Sequence, residues 1–170
     1  MLSGAGVHKN FGWKPVGKIN FPAGSPCTLD ITNLIDNGEI LVIHSSLITD
    51  NPVNLTVNDD GAARYDWSIH EHGMSGGAAE HAQSCTAAAS LIPFAPGTRT
   101  AKVKMELQYI NSMLLIHIKS VSYYSATYFG ATDVMGHYNQ DAPYTSLVFT
   151  DSLIGDFAAD FQLFKGVYAL

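Results

Sequence analysis

The chain has 170 residues, which is enough for one domain with a full hydrophobic core and too few for two ordinary domains. Its formal net charge is −6, and its lysines and arginines are few and scattered, which disfavours direct binding to nucleic acid or to an anionic membrane surface. Charged residues make up only 14% of the chain, which indicates a surface largely covered by neighbours in an oligomer or an assembled particle.

The N-terminal stretch MLSGAGVHKNFGWKP lacks the basic start and the apolar run of a signal peptide, and no window is long and apolar enough to insert into a membrane. We therefore expect the protein to be made in a cytoplasm. Residues 1–14 are rich in glycine and show no periodicity. We interpret them as an N-terminal arm, either loose or lying on a partner, with Phe11 and Trp13 as candidate partner contacts.

From residue 15 onward, apolar and polar side chains alternate in the pattern of half-buried strands. The first half contains four alternating segments: KINF, CTLDITNL, VNLTVN and RYDWSIH. The continuous apolar run ILVIHSSLI predicts a strand that is covered on both faces. Asn37-Gly38 and the later DDG sequence predict turns between these strands.

The segment from Gly73 to about Ser90 is rich in Gly, Ala and Ser, and its AAEHAQSCTAAAS run predicts either one short helix or a loop. TAKVKMELQYI then alternates cleanly, NS predicts a turn, and MLLIHIKSVSYYSATYF predicts one long strand or two strands joined by a bend. GATDVMGHYNQDAP is interpreted as an irregular loop, and SLVFTD and DFQLFKGVYAL as the closing strands. Nine or ten short strands without βαβ alternation predict an all-β fold: a single antiparallel β-sandwich, jelly-roll-like, over residues 15–170 after the arm.

The stretch DWSIHEHGMSGGAAEH, residues 66–81, contains a G-x-S-x-G pattern centred on Ser75. A nucleophile elbow requires a strand before the serine, a helix after it and a parallel sheet, and this sequence predicts no such sheet. We therefore expect no catalytic residue and no enzyme. His70, His72 and His81 are candidate metal ligands, since an H-x-H pair on an extended segment shares one face. The pattern is too short to predict a physiological metal, and we expect no cofactor.

Three further groups have two interpretations each. Asn58, Asp59 and Asp60 either bind calcium or form a turn. Exposed tyrosines among polar residues either stack on a sugar or pair across strands, and the candidate glycan contacts are Tyr124, Tyr128, Tyr138 and Tyr144. The two cysteines, Cys27 and Cys85, are expected to be free thiols, with a single disulfide as the alternative.

The order of KINF…TLDITNL, VNLTVNDDGAARYDW and FQLFKGVYAL resembles β-sandwich domains of tailed-bacteriophage virion proteins, which occur in tail fibres, head fibres and capsid decoration proteins. Such domains have an Asn/Asp-Gly turn followed by a tyrosine, and they close on an aromatic strand with Gly and Y-x-L. The matching positions here are Asn58, Asp60, Gly61, Tyr65, Gly166, Tyr168 and Leu170. Lys165 departs from the pattern, because a small residue usually precedes that glycine.

The resemblance implies a virion structural protein that is assembled in the host cytoplasm. We expect a capsid decoration (cement) protein that binds the outer shell as a homotrimer, with itself and the major capsid protein or another virion protein as partners. The alternative is a tail-fibre or receptor-binding module that recognises host surface glycan through residues 123–144.

Overall fold

The computed structural model describes residues 11–21, 26–48, 53–74, 80–91, 100–125, 128–151 and 158–168. Over these ranges the chain contains no helix, and so none that is long and apolar enough to cross a membrane. The described strands are β1 (Phe11–Phe21), β2 (Cys27–Asp30), β3 (Ile40–Ile48), β4 (Val53–Val57), β5 (Tyr65–Met74), β6 (Glu80–Ala88), β7 (Thr100–Ile110), β8 (Met113–Ser125), β9 (Tyr128–Tyr138), β10 (Ser146–Asp151) and β11 (Ala158–Tyr168).

These strands form two sheets, and every pairing between them is antiparallel. The large sheet has eight strands in the order β1-β11-β3-β7-β8-β9-β5-β6, and the small sheet has three in the order β2-β10-β4. The predicted antiparallel β-sandwich is therefore confirmed, with an uneven division of strands between its two layers. β11 lies inside the large sheet, between β1 and β3.

The core fills the space between the two sheets, and the alternation of β7 shows why. Ala101, Val103, Met105 and Leu107 point inward and are buried, whereas the residues between them face solvent or are half-buried. Phe149 of the small sheet packs on Phe161 of the large sheet with ring centroids 5.2 Å apart. Because side chains of a strand alternate between its faces, the register also defines an outer face of the large sheet, turned away from the core.

Two segments that were expected to lack strand structure are strands. Residues 80–88 form β6 rather than a helix or a loop, because backbone hydrogen bonds to β5 outweigh the helix propensity of the alanines. Residues 130–138, the first part of the expected irregular loop, belong to strand β9. Thr132, Val134 and Tyr138 are buried in a two-residue alternation, which is hard to recognise in the sequence because the segment contains glycines.

Two other expectations need adjustment. β3 is not covered on both faces along its length: Val42 is buried on the outer side, but His44 and Ile48 are exposed there. β1 begins at Phe11, so residues 11–14 of the predicted arm are part of an edge strand that pairs with β11. Residues 1–10 lie outside the described residues, and the arm remains a prediction for them.

Candidate functional site

The G-x-S-x-G stretch lies where β5 ends, and its surroundings do not form a nucleophile elbow. β5 pairs with β9 on one side, and the next strand along the chain, β6, pairs antiparallel with β5 on the other. An elbow needs a helix after the serine and a parallel sheet beneath it, and the described residues provide neither. Ser75 itself lies outside the described residues.

The three candidate metal ligands are not brought together by the register. His70 and His72 share the outer face of β5, as their spacing predicts. His81 pairs with Glu71, so its backbone position is one residue out of phase with the other two. Within the ranges that the structure describes, no group of three His, Cys, Asp or Glu residues is placed to hold a metal ion.

The NDDG turn is held by hydrogen bonds to Tyr65. The backbone N–H of Val57 donates to the Tyr65 hydroxyl at 2.8 Å, and this hydroxyl lies 3.0 Å from the carbonyl oxygen of Asp60, to which it donates. A tyrosine that bonds back to the backbone a few residues upstream is the arrangement of a tyrosine corner. Burial raises the pKa of Tyr65 to about 12, so its hydroxyl stays neutral and can donate. We call residues 57–65 the tyrosine corner below.

Two of the three candidate calcium ligands, Asn58 and Asp60, accept hydrogen bonds through their side-chain oxygens. The Asn58 side-chain oxygen accepts from the backbone N–H of Thr145 at 2.7 Å. The Asp60 carboxylate accepts from the Tyr138 hydroxyl at 2.6 Å and from the backbone N–H of Ala62 at 2.9 Å. The hydrogen bond from Tyr138 is the largest cause that lowers the pKa of Asp60. Asn58 and Asp60 therefore hold the turn, which is the second of the two interpretations.

Two of the four tyrosines predicted to contact glycan, Tyr138 and Tyr144, lie in the core. Tyr138 and Tyr144 are each only 3% exposed, so neither can present a ring to a sugar. Tyr138 stacks on Tyr65 with centroids 4.9 Å apart, and Tyr144 lies edge-on to Tyr109 at 5.2 Å. The alternation of β9 points the Tyr138 ring toward the core, and packing against Tyr109 and Tyr138 places the Tyr144 ring there. Tyr124 and Tyr128 lie in β8 and β9, but their side chains are outside the described part.

The exposed hydrophobic residues concentrate on the outer face of the large sheet. Met135 is 62% exposed there, opposite His117 in register, and Trp13 of β1 is 49% exposed. By the register, all five large hydrophobic residues found exposed in the described ranges belong to this face: Trp13, Ile48, Leu115, Val121 and Met135. Trp13 is thus placed as a partner contact would require, whereas the Phe11 side chain lies outside the described part.

The histidines concentrate on the same face. Every histidine whose side chain the structure describes lies there, namely His44, His70, His72, His117 and His137. His117 Nε2 lies 2.7 Å from an Asp133 carboxylate oxygen, and His137 Nε2 lies 3.1 Å from a carboxylate oxygen of Asp66. The histidine-rich stretch that attracted attention in the sequence therefore contributes to a broad exposed face and not to a compact centre.

A group of lysines on this face was missed by the sequence analysis. Lys104 and Lys119 are directly opposite each other on β7 and β8, and His44 is opposite Lys104 on β3. With Lys102 they line a groove of about 480 Å³, and the other charged residue in its lining is Asp160. The sequence did contain a signal for this pairing. A two-residue turn at Asn111-Ser112 places position 110 opposite 113, and counting back along both strands places position 104 opposite 119.

A second hollow, of about 410 Å³, adjoins this groove. It is lined by Trp13, Val42 and Phe164 together with His44 and Lys104, which also line the groove. The Phe164 ring packs edge-on to His44 with centroids 5.5 Å apart. The outer face therefore combines a cationic groove with an apolar hollow, joined at two shared residues.

No family model, no curated protein and no solved structure matches the chain. The function is therefore inferred from the fold, the exposed face and the resemblance of its sequence motifs.

Proposed function

We propose that this protein is a structural component of a tailed-bacteriophage virion and not an enzyme. In this proposal it is a capsid decoration protein that binds the outer shell as a homotrimer. One observation carries the mode of action: every large hydrophobic residue seen exposed in the described ranges lies on one face of the eight-stranded sheet. Exposed apolar residues gathered on one face are typical of interaction surfaces. The sequence resemblance supports the virion context.

The outer face is large enough for such a contact. Seven inter-strand spacings of about 4.8 Å make it roughly 34 Å wide, and a strand of about eleven residues is roughly 37 Å long. The face therefore offers on the order of 1,200 Å², above the roughly 800 Å² that one partner contributes to a standard interface. In a trimer, three modest contacts with the shell would act together, because binding of the first raises the effective concentration of the others.

The burial of Tyr138 and Tyr144 favours docking over the glycan-binding alternative. Sugar stacking needs exposed aromatic rings, and half of the candidate platform is instead part of the core. The alternative depends on Tyr124 and Tyr128. Binding of the protein to host-cell glycans, lost in Tyr124→Ala and Tyr128→Ala, would support the tail-fibre alternative.

The proposal is tested by mixing the protein with capsids prepared without it and measuring what sediments with them. We expect saturable co-sedimentation of the wild type, and sedimentation of the free protein at three times its 18.3 kDa mass. The Met135→Glu/Leu115→Glu variant should lose co-sedimentation, because it places two charges at exposed apolar positions of the face that lie outside the groove lined by Lys102, Lys104 and Lys119. Thr28→Glu/Thr150→Glu is the matched control, since both threonines are exposed on the small sheet.

Wild-type protein that stays in the supernatant would contradict the proposal. An equal loss in the small-sheet control would contradict the assignment to the outer face.

A further inference from the structure

We propose that the lysine groove and the adjoining hollow form one binding site for an acidic polypeptide segment with a hydrophobic anchor residue. The groove is lined by Lys102, Lys104 and Lys119, and the hollow by Trp13 and Phe164. The inference rests on the proposed function, because it states what the shell partner presents to the outer face. It goes further by naming the chemistry of that segment.

The groove concentrates positive charge on a protein whose net charge is −6. Three lysines against one aspartate leave its lining with two positive charges when His44 is neutral. Lys104 and Lys119 are directly opposite each other, a placement of like charges that destabilises a sheet. Glu106 and Asp133 each offset part of this repulsion from one side, and a segment that brings carboxylates into the groove adds to that stabilisation, which gives the site a preference for acidic partners.

The local ion pairs leave these lysines accessible. Lys104 Nζ lies 2.5 Å from a Glu106 carboxylate oxygen, and Lys119 Nζ lies 3.6 Å from one of Asp133. Glu106 and Asp133 are not part of the groove lining, and the Lys119 side chain is 61% exposed. Lys102 donates to the neutral hydroxyl of Ser46. All three ammonium groups therefore retain N–H donors for a ligand, since each carries three.

The hollow supplies the apolar half of the site. Trp13 is half exposed, Val42 forms the buried floor, and Phe164 completes the wall. Its volume of about 410 Å³ is within the range of pockets that enclose small organic groups. An aromatic or large aliphatic side chain of the partner would occupy part of this space and cover the Trp13 ring.

The spacing of the two halves predicts the spacing in the ligand. Phe164 is on β11 and Lys119 is on β8, three strands away. Three inter-strand spacings are about 14 Å, which an extended chain crosses in about four residues. The favoured ligand thus has an apolar residue followed about four positions later by carboxylates. This pairing on one chain favours a polypeptide over a nucleic acid, which would need a longer cationic track.

The probe is a fluorescein-labelled peptide with one phenylalanine and two glutamates four and five residues later, and binding is followed by fluorescence anisotropy. We expect saturable binding by the wild type that weakens with added salt. Replacing both glutamates by glutamines, or making Lys104→Gln/Lys119→Gln, should weaken binding about tenfold, the loss of roughly one charge-assisted hydrogen bond. Lys14→Gln/Lys18→Gln removes the same charge from β1, outside both linings, and should bind like the wild type.

The apolar half is tested by Trp13→Ala with the same peptide and with a Phe→Gly version. The substitution should weaken binding of the first peptide and leave the second unchanged, because only the first reaches the hollow. The thermal midpoint of every variant should stay close to that of the wild type, which separates lost binding from lost folding.

The proposal is overturned if the wild type does not bind the peptide, if the two double lysine variants behave alike, or if a single-stranded oligonucleotide of equal charge binds more tightly. Failure here is distinguishable from failure of the decoration proposal. Capsid co-sedimentation without peptide binding would reject the groove and keep the docking face. Peptide binding without co-sedimentation would keep the groove and reject the capsid as partner.

Discussion

The tyrosine corner and the outer face of the large sheet are both rich in polar side chains, but they use them differently. In the corner, the Tyr65 hydroxyl is hydrogen-bonded to the backbone of Val57 and Asp60. The Asp60 carboxylate accepts a hydrogen bond from Tyr138, so these polar atoms have partners within the protein. On the outer face, Lys102 and Lys119 keep donor capacity toward solvent, and Met135 is exposed on the same face. Residues whose polar atoms are bonded within the fold therefore stabilise it, whereas residues that keep hydrogen-bond donors toward solvent are available to a partner.

This contrast predicts that substitutions near the corner change the free energy of unfolding and leave docking intact, and that substitutions on the face do the reverse. Four variants test it, from the largest expected change in stability to the smallest.

Gly136→Ala should destabilise the fold by about 3 kcal/mol, the upper part of the usual range for overpacking. A Cβ at this position would lie 2.7 Å from a Leu91 methyl carbon and 2.9 Å from both the Asp66 carbonyl oxygen and the Trp67 Cβ. Backbone atoms cannot give way cheaply. Gly130→Ala is the matched control on the same strand, because its Cβ would come no closer than 3.4 Å to another atom, and it should change stability little. Urea denaturation of both variants measures the difference.

Tyr65→Phe should cost about 2 kcal/mol, because it leaves the buried backbone N–H of Val57 without its acceptor. Tyr109→Phe is the control, since Tyr109 is only partly buried and its ring contact with Tyr144 survives the change. Denaturant midpoints compare the two variants. Equal effects would show that the hydroxyl of Tyr65 does not hold the corner.

Tyr138→Phe should reduce stability by no more than about 1 kcal/mol, because the Asp60 side chain remains partly exposed to solvent, which screens its interaction with the hydroxyl. The Tyr138 hydroxyl is the largest cause that lowers the pKa of Asp60 below its usual 3.8. A lowered pKa in the folded state stabilises the fold above pH 4, and this stabilisation is lost as the pH falls through the folded pKa. The difference in thermal midpoint between wild type and variant should therefore be largest near neutral pH and shrink below about pH 4. A difference that stays constant down to pH 2.5 would contradict the role of the carboxylate.

Met135→Glu should change the free energy of unfolding by less than about 0.5 kcal/mol, as is usual for exposed positions. Thermal denaturation checks this value, and the same preparation should show weakened capsid co-sedimentation. A loss of stability as large as that of Tyr65→Phe would contradict the contrast between the two regions, since the outer face would then also stabilise the fold.

Much of the fold could be predicted from the two-residue alternation. In β7 and β4 the apolar positions are buried, and most of the polar positions between them are exposed or half-buried. β6 and β9 could not be predicted in this way, because alanine and glycine give little alternation, and these strands depend on hydrogen bonds to β5 and β8. The pairing of β9 with β5 also joins residues far apart in the sequence.

The candidate site was less predictable, for reasons of burial. Tyr138 and Tyr144 have the composition of a sugar platform, and only the packed corner shows that their rings face inward. The lysines were counted as scattered because Lys104 and Lys119 are fifteen residues apart in sequence, although the turn between them places them side by side.

The position of β11 between β1 and β3 has a consequence for biosynthesis. β1 leaves the ribosome before β11, and its described partner strand is formed by residues 158–168, so the pair can close only after all the strands between them have been synthesised. Until then β3 also lacks one of its neighbours, and two strand edges stay open to misassociation. Without β11, β1 would thus lack its described partner and β3 would keep only its pairing with β7, which makes the addition of β11 the step that closes this side of the large sheet.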